Sequence, residues 1–280
     1  MCWNKEEFLK KNLVGTVLNL KCNPQRYASF LVSASRLPFK VIRLEAQDGA
    51  MLSEADQASL VDERIYARYY GGKFPSQGTI GCYLTHYLAW KSMVDQSIPW
   101  MIIFEDDVIF CPETLTQALY EILTQYKKRI DICSFALRGK GIPFSIGKVL
   151  THRLCAYGRD VYCAGAYLLN LKSARQLLHD SFPMQFQVDD YYTQTWRWNL
   201  LFTGIEPRIV HHNDAMVSEV KARGGRHFRK VHYSFPLRYT FVYGIAALRS
   251  IILREYFNLR RLFRALSYCI KVRLKANYWD

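Results

Sequence analysis

The chain has 280 residues, half of them hydrophobic and 22% charged, which is enough to bury a sizeable core in one large domain or two small ones. Its 16 Phe, 19 Tyr and 6 Trp exclude intrinsic disorder as the main description. The formal net charge of +14 is concentrated at one end: residues 218–280 carry 14 Lys/Arg against 3 Asp/Glu, a net +11, and residues 1–217 carry the remaining +3. A basic tail on a near-neutral body points to an anionic surface.

The opening MCWNKEEFLKKN is charged and has no apolar core, so no cleavable export signal is expected. No uninterrupted apolar run approaches the ~20 residues of a membrane-spanning helix. The eight Cys (2, 22, 82, 111, 133, 155, 163, 269) form no C-x-x-C pair and no zinc spacing, so reduced, mostly buried thiols of a cytosolic protein are expected.

Gly15–Leu20 reads as a strand, residues 25–34 as a helix and Lys40–Leu44 as a second strand closed by Gln47-Asp48-Gly49. This is a βαβ unit and implies parallel pairing. Residues 71–81, rich in Gly, read as a loop and Gly81–Asp95 as a helix. Met101–Phe104 is an apolar run that stops at Glu105-Asp106-Asp107, as a buried central strand would when its carboxyl end delivers side chains to a ligand. Pro112–Tyr126 is a helix and Ile130–Phe135 a strand. Gly139–Gly147 is a loop, and Tyr162–Leu169 is a strand followed by a helix through Leu178. Val188-Asp189-Asp190 opens a second acidic site ahead of an aromatic stretch, and Ile205–His212 is a late strand ending in two His.

Three consecutive acids repel one another, and a divalent cation with hard-oxygen preference, Mg or Mn, would cancel that repulsion. The competing reading is a solvated turn that caps the next helix. Of Asp189 and Asp190, one carboxylate can act as a general base toward a hydroxyl, or serve as an N-cap. His211 or His212 can supply an imidazole ligand, although most such His are structural.

Taken in order, the segments VLNLKCNPQR (17–26), EAQDG (45–49), GTIGCYLTHYLAW (78–90), MIIFEDDV (101–108), GAYLLNLKSARQLL (165–178) and VDD (188–190) resemble the lipopolysaccharide/lipooligosaccharide glycosyltransferases, glycosyltransferase family 25. The resemblance covers roughly residues 14–212. Its most specific part is Gly78, Gly81, Cys82, Thr85 and His86, with Glu105 following His86 by 19 residues. It implies an α/β fold of GT-A type, in which a Rossmann-like nucleotide-binding half is fused to an acceptor half. It also implies an inverting transferase using a UDP-hexose, typically UDP-galactose, with a divalent metal and a lipooligosaccharide acceptor. UDP-glucose or a UDP-N-acetylhexosamine is the alternative donor. The motif of DxD type maps to Glu105-Asp106-Asp107, with Asp107 and Glu105 at the metal and His211 or His212 completing it. Leu18, Asn19, Arg26, Gly81, His86, Glu105 and Asp106 are assigned to donor binding. Asp190 is favoured over Asp189 as the base, and Tyr191, Tyr192, Trp196 and Trp198 either stack on acceptor sugars or pack in the core. The chain departs from the family's commonest form at Thr79, where an acid is frequent, and at Thr85, where Ser is usual.

The body is expected to span 1–217 and a basic helical region 218–280. On a helical wheel of 244–275, Arg249, Arg260, Arg264, Lys271 and Lys275 fall within about 80° of arc, and most large apolar residues fall between about 200° and 320°. Such a helix suits an anionic membrane surface, which would place the protein peripherally on the inner face of the cytoplasmic membrane. The alternatives are packing on the body or on a second copy. Nucleic acid is not expected as a partner, because the body's aromatics are not interleaved with Lys/Arg.

Overall fold

The computed structural model describes residues 4–139, 141–213, 227–228 and 236–276. Helix α1 (Lys5–Asn12) is capped by Asn4, whose side chain accepts from the Glu6 amide. Strand β1 (Val14–Asn19), helix α2 (Pro24–Ala34) with Pro in its first turn, and strand β2 (Val41–Glu45) form the expected βαβ unit. Two short helices that sequence reading passed over follow: α3 (Glu54–Leu60), capped by Ser53, and α4 (Glu63–Tyr69), capped by Asp62. After β3 (Phe74–Pro75), Ser76 caps the long helix α5 (Gln77–Asp95). Then come β4 (Trp100–Glu105), β5 (Val108–Phe110) and α6 (Pro112–Glu121), which continues as a π-helical turn at Ile122–Tyr126. The chain goes on through β6 (Ile132–Ser134), β7 (Pro143–Val149), β8 (His152–Tyr157), β9 (Ala166–Asn170), α7 (Leu171–His179), the single turn α8 (Val188–Tyr191), β10 (Phe202–Glu206), β11 (Val210–His212), β12 (His227–Phe228) and α9 (Pro236–Ala276).

Eight strands form one sheet in the order β2-β1-β4-β9-β6-β10-β8-β7. β1 pairs in parallel with β2 and β4, which is the Rossmann-like half, and β10 pairs in parallel with β6. β9 runs antiparallel between β4 and β6, and the β7–β8 hairpin closes the far edge antiparallel. The sheet is therefore mixed, of α/β class, and core packs on both of its faces. Phe30, Phe104, Leu115 and Leu119 lie on one side; Tyr83, Trp90, Met101, Ile103 and Tyr167 lie on the other. Three expectations are corrected. Residues 77–80, read as the end of a loop, open helix α5. Residues 143–147 of the presumed loop belong to β7, and the late strand divides into β10 and β11 with Pro207 between them.

One glycine of the most specific motif, Gly81, has a steric explanation. A Cβ on Gly81 would lie 2.6 Å from the Gln47 carbonyl oxygen and 2.6 Å from the Gly49 amide nitrogen, both backbone atoms that cannot rotate away. Thr85, one turn on, fastens the same contact: its hydroxyl donates to the Gly81 carbonyl at 2.7 Å and accepts from the Gln47 amide at 2.9 Å. The EAQDG turn thus lies flat on α5. Gly81→Ala is expected to cost about 1–3 kcal/mol by overpacking, read as a lower midpoint in denaturant unfolding. An unchanged midpoint would show that the turn has room to move.

Helix α9 meets the body through Ser250, Asn258, Arg261 and Ala265, all buried. Asn258 accepts from the Asp160 amide at 3.0 Å, Arg254 donates to the Tyr69 carbonyl at 3.3 Å, and Phe257 packs on Tyr69 and Trp196. The docked side lies between the basic and apolar arcs of the helical wheel. Leu248, Ile251, Ile252, Leu259, Phe263 and Ile270, each at least half exposed, face away from the body. No helix among the described residues is long and apolar enough to cross a membrane. The expected domain boundary at 217/218 lies outside the described residues.

Candidate functional site

The acid triplet sits where β4 ends. Glu105 closes the strand, Asp106 and Asp107 make the turn, and β5 leads away. β11 runs antiparallel to β5 with His212 opposite Val108 and His211 opposite Ile109. Neighbours on a strand point to opposite faces, so only one of the two His can reach the triplet. It is His212, whose Nδ1 lies 3.1 Å from Asp107 Oδ1, while Asn213 donates its amide to the Asp107 carbonyl at 2.7 Å. His211 is exposed and its Nδ1 accepts from Arg208 at 3.4 Å.

The chain itself supplies cations against the triplet. Arg26 Nη2 pairs with Asp106 Oδ1 at 2.6 Å and with Asp107 Oδ2 at 3.0 Å. The repulsion among the three acids is therefore not left to a bound cation alone: Arg26 and His212 each offset part of the charge. Asp106 turns inward, where Asn19 donates to it at 2.6 Å; burial pushes its carboxyl up to about 6 against the pull of Arg26 and Asn19. Asp107 also resists burial, but the His212 hydrogen bond and charge, with Arg26, hold it below the usual carboxylate range. The Asp107 hydrogen bond, followed by that to Cys163, raises His212 to about 10.

Glu105 faces the other way. His86, fully buried on α5, directs Nε2 at Glu105 Oε1 across 3.6 Å. The Trp90 indole donates to the Tyr167 oxygen at 2.9 Å, and the same hydroxyl lies 2.9 Å from His86 Nδ1. An indole only donates, so the Tyr167 proton is available to His86 Nδ1. That arrangement puts the imidazole proton on Nε2, facing Glu105. The donor atoms of Glu105, Asp107 and His212 lie within 4.8 Å of one another, as do those of Cys82, His86 and Glu105. The first set, two carboxylates and an imidazole, fits a divalent cation with hard-oxygen preference.

Residues 163–165 join this centre to the second acidic site. Cys163 Sγ lies 3.0 Å from His212 Nε2, and a Cβ on Gly165 would come within 3.0 Å of the His212 ring. Cys163 holds φ at 102°, a region most L-residues avoid at a cost of about 1–3 kcal/mol. Asp189, buried, accepts from the Ala164 amide at 2.9 Å. Asp190 is partly exposed. Its Oδ2 accepts from the Tyr70 hydroxyl and, at 3.0 Å, from Gln187 Nε2; Oδ1 has no hydrogen bond among the described residues. Burial and the Asp190 charge push the Tyr70 hydroxyl well up, so it stays a neutral donor. Neither acid is the N-cap of α8; Gln187 occupies that position.

Several assigned donor residues build the site instead of lining it. Leu18 is taken up by the core, and Asn19 is saturated by Asp106, the Asn23 carbonyl and Arg43. Gly81, His86 and Asp106 are buried. Of the aromatics offered to an acceptor sugar, Tyr191 and Tyr192 are fully buried core, and Trp196 and Trp198 are half-buried. Tyr70, Gln187, Cys163 and Tyr167 were missed. Only the adjacency of Gln187 to VDD gives a local sequence signal.

Residues 14–192 match the model of glycosyltransferase family 25 (LPS biosynthesis protein). A rat protein, "Probable inactive glycosyltransferase 25 family member 3", is 28% identical over 167 residues, covering 58% of this chain and 29% of its own length. Human "Procollagen galactosyltransferase 2" is 31% identical over 96 residues, 34% of this chain and 15% of its own. The chain thus spans less than a third of these curated relatives. A solved glycosyltransferase involved in glycosylation of the major capsid of PBCV-1 superimposes at TM-score 0.38 with 8% identity, over 75% of this chain and 96% of that one. With more than half of its residues under the family match, the chain belongs to glycosyltransferase family 25.

Proposed function

We propose that the chain is an inverting galactosyltransferase that moves galactose from UDP-galactose to a sugar hydroxyl of a lipooligosaccharide or lipopolysaccharide core, with Mn or Mg held by Glu105, Asp107 and His212. The convergence of those three donor groups is the observation that carries it. The galactosyl donor is supported by the names of relatives such as the human and mouse procollagen galactosyltransferases. A divalent cation bound there would offset the charge of the departing diphosphate. The remaining steps belong to the chain. Arg26 fixes the Asp107 carboxylate, and His86 orients Glu105. Asp190, positioned by Tyr70 and Gln187, takes the acceptor proton on its free oxygen as the hydroxyl attacks the anomeric carbon. One displacement inverts the configuration. The test is a thermal-shift screen of UDP-sugars with and without Mn, since a ligand selective for the native state raises its apparent stability. Metal-dependent stabilisation by UDP-galactose is expected. A larger shift with UDP-glucose or a UDP-N-acetylhexosamine would change the donor, and no shift with any of them would overturn the reading.

The acceptor class is supported by α9. Its outward apolar stripe is flanked by exposed Arg249, Arg260 and Lys271, a combination that suits an anionic bilayer surface. This reading places the protein peripherally on the cytoplasmic side of a membrane. The double variant Ile252→Glu/Phe263→Glu is expected to keep its melting temperature and to lose about tenfold or more in binding to phosphatidylcholine vesicles containing phosphatidylglycerol. Undiminished binding would exclude the stripe. Loss of a dimer without loss of vesicle binding would make it a contact between copies.

A further inference from the structure

Under α9 runs a cleft that neither the acid triplet nor the outward stripe uses. Its walls include Tyr157, Trp196 and Phe202 from the body and Arg261 and Arg264 from the helix, and it holds about 360 Å3 of empty space, part of it open to solvent. Arg261 is 6% exposed. Among the described residues its guanidinium reaches two neutral oxygens, Asn258 Oδ1 at 3.3 Å and Thr193 Oγ1 at 3.5 Å, both long. Its Nε is buried with no partner among the described residues, as is the indole N–H of Trp196. Among the described residues no carboxylate forms an ion pair with Arg261 or Arg264; Arg159 at the rim is already paired with Glu255 at 2.7 Å.

A buried guanidinium with no carboxylate in ion-pair contact is unfavourable, because taking it out of water costs several kcal/mol that two weak neutral hydrogen bonds do not recover, and Asp160 and Asp190 act only from across Tyr69. An anion in the cleft would recover it. Two arginines three residues apart on one helix, one buried and one at the mouth, together with an indole N–H, present more donors than a carboxylate can use. They match an oxyanion with three free oxygens. We propose that this cleft binds a phosphate group, carried either by a free phosphate compound or by a lipid headgroup. The lining of the cleft contains none of Glu105, Asp107, His212 and Asp190, and the inference does not depend on the glycosyl-transfer reading.

The test uses the full-length chain in the presence of a chelator, so that the acid triplet holds no metal. Inorganic phosphate is titrated against potassium chloride at matched ionic strength, and the melting temperature is followed. Phosphate is expected to raise it in the wild type. Arg261→Met is expected to abolish that rise while melting at or above the wild-type temperature in chloride, since an unpaired buried charge has been removed. Arg264→Gln, at the mouth, leaves the core untouched and is expected to weaken the phosphate response by about tenfold or more. It decides the matter if Arg261→Met fails to fold. A second arm compares binding to phosphatidylcholine vesicles with and without phosphatidylglycerol. Loss of the phosphatidylglycerol-dependent part in the arginine variants, with no response to free phosphate, identifies the headgroup as the source. A response to free phosphate that vanishes in the variants, with vesicle binding unchanged, identifies a soluble ligand. If neither response depends on Arg261 or Arg264, the proposal fails and the arginines serve only to pack the helix.

Discussion

Asp107→Ala is expected to abolish metal-dependent UDP binding and to lower transfer by about three orders of magnitude or more. Several kcal/mol of leaving-group stabilisation would be lost, at about 1.4 kcal/mol per decade. The structure explains why one carboxylate carries so much. Asp107 uses Oδ1 on His212 and Oδ2 on Arg26, so it is the atom group through which the β11 imidazole and the α2 guanidinium are both registered. Alanine removes a donor, releases His212 toward Cys163 alone and leaves Arg26 to Asp106. The measurement pairs UDP titration in Mn with a turnover assay, and circular dichroism confirms that the chain is folded. A fully active variant would sink the assignment of the triplet.

Asp190→Asn should separate binding from chemistry. Both donors to Asp190 converge on Oδ2, which an amide oxygen can replace, so Tyr70 and Gln187 keep their partner. The substitution then changes the other atom, Oδ1, from a proton acceptor to an NH2 group. Donor affinity should stay within about twofold of wild type, and turnover should fall by about 10²- to 10⁴-fold, the usual worth of a general base. Normal turnover would place the base elsewhere. Asp189→Asn is a poor substitute, because Asp189 is buried and fixes the Ala164 amide beside the His212 centre.

What could be read from sequence divides along physical lines. β1, β4 and β9 are buried on both faces and read as apolar runs, and α5 is long enough to show itself. The β7–β8 hairpin was missed because Gly141, Pro143 and Gly147 signal a loop, and the hairpin turns at Leu150 with φ of 55° and not at a glycine. The acid triplet was visible as an abrupt end to an apolar run. The choice between His211 and His212 was not, because it depends on the register of β11 against β5. Tyr70 lies 120 residues from the carboxylate it serves, a separation at which no local pattern survives. The aromatic stretch at 191–198 was ambiguous for another reason: core tyrosines and sugar-stacking ones have the same composition, and only burial tells them apart.

Helix α9 is fastened by Ser250, Asn258, Arg254, Arg261 and Ala265, and its oily side points outward. Fixing and reaching outward are therefore assigned to different residues of one helix. Substitutions at Leu248, Ile252, Phe263 or Ile270 can vary the strength of attachment to a surface without touching the contacts that hold the helix. Substitutions in the α5–β4 centre can retune the chemistry without altering attachment. The outward stripe and the α5–β4 centre share no residue, so substitution in one leaves the contacts of the other in place.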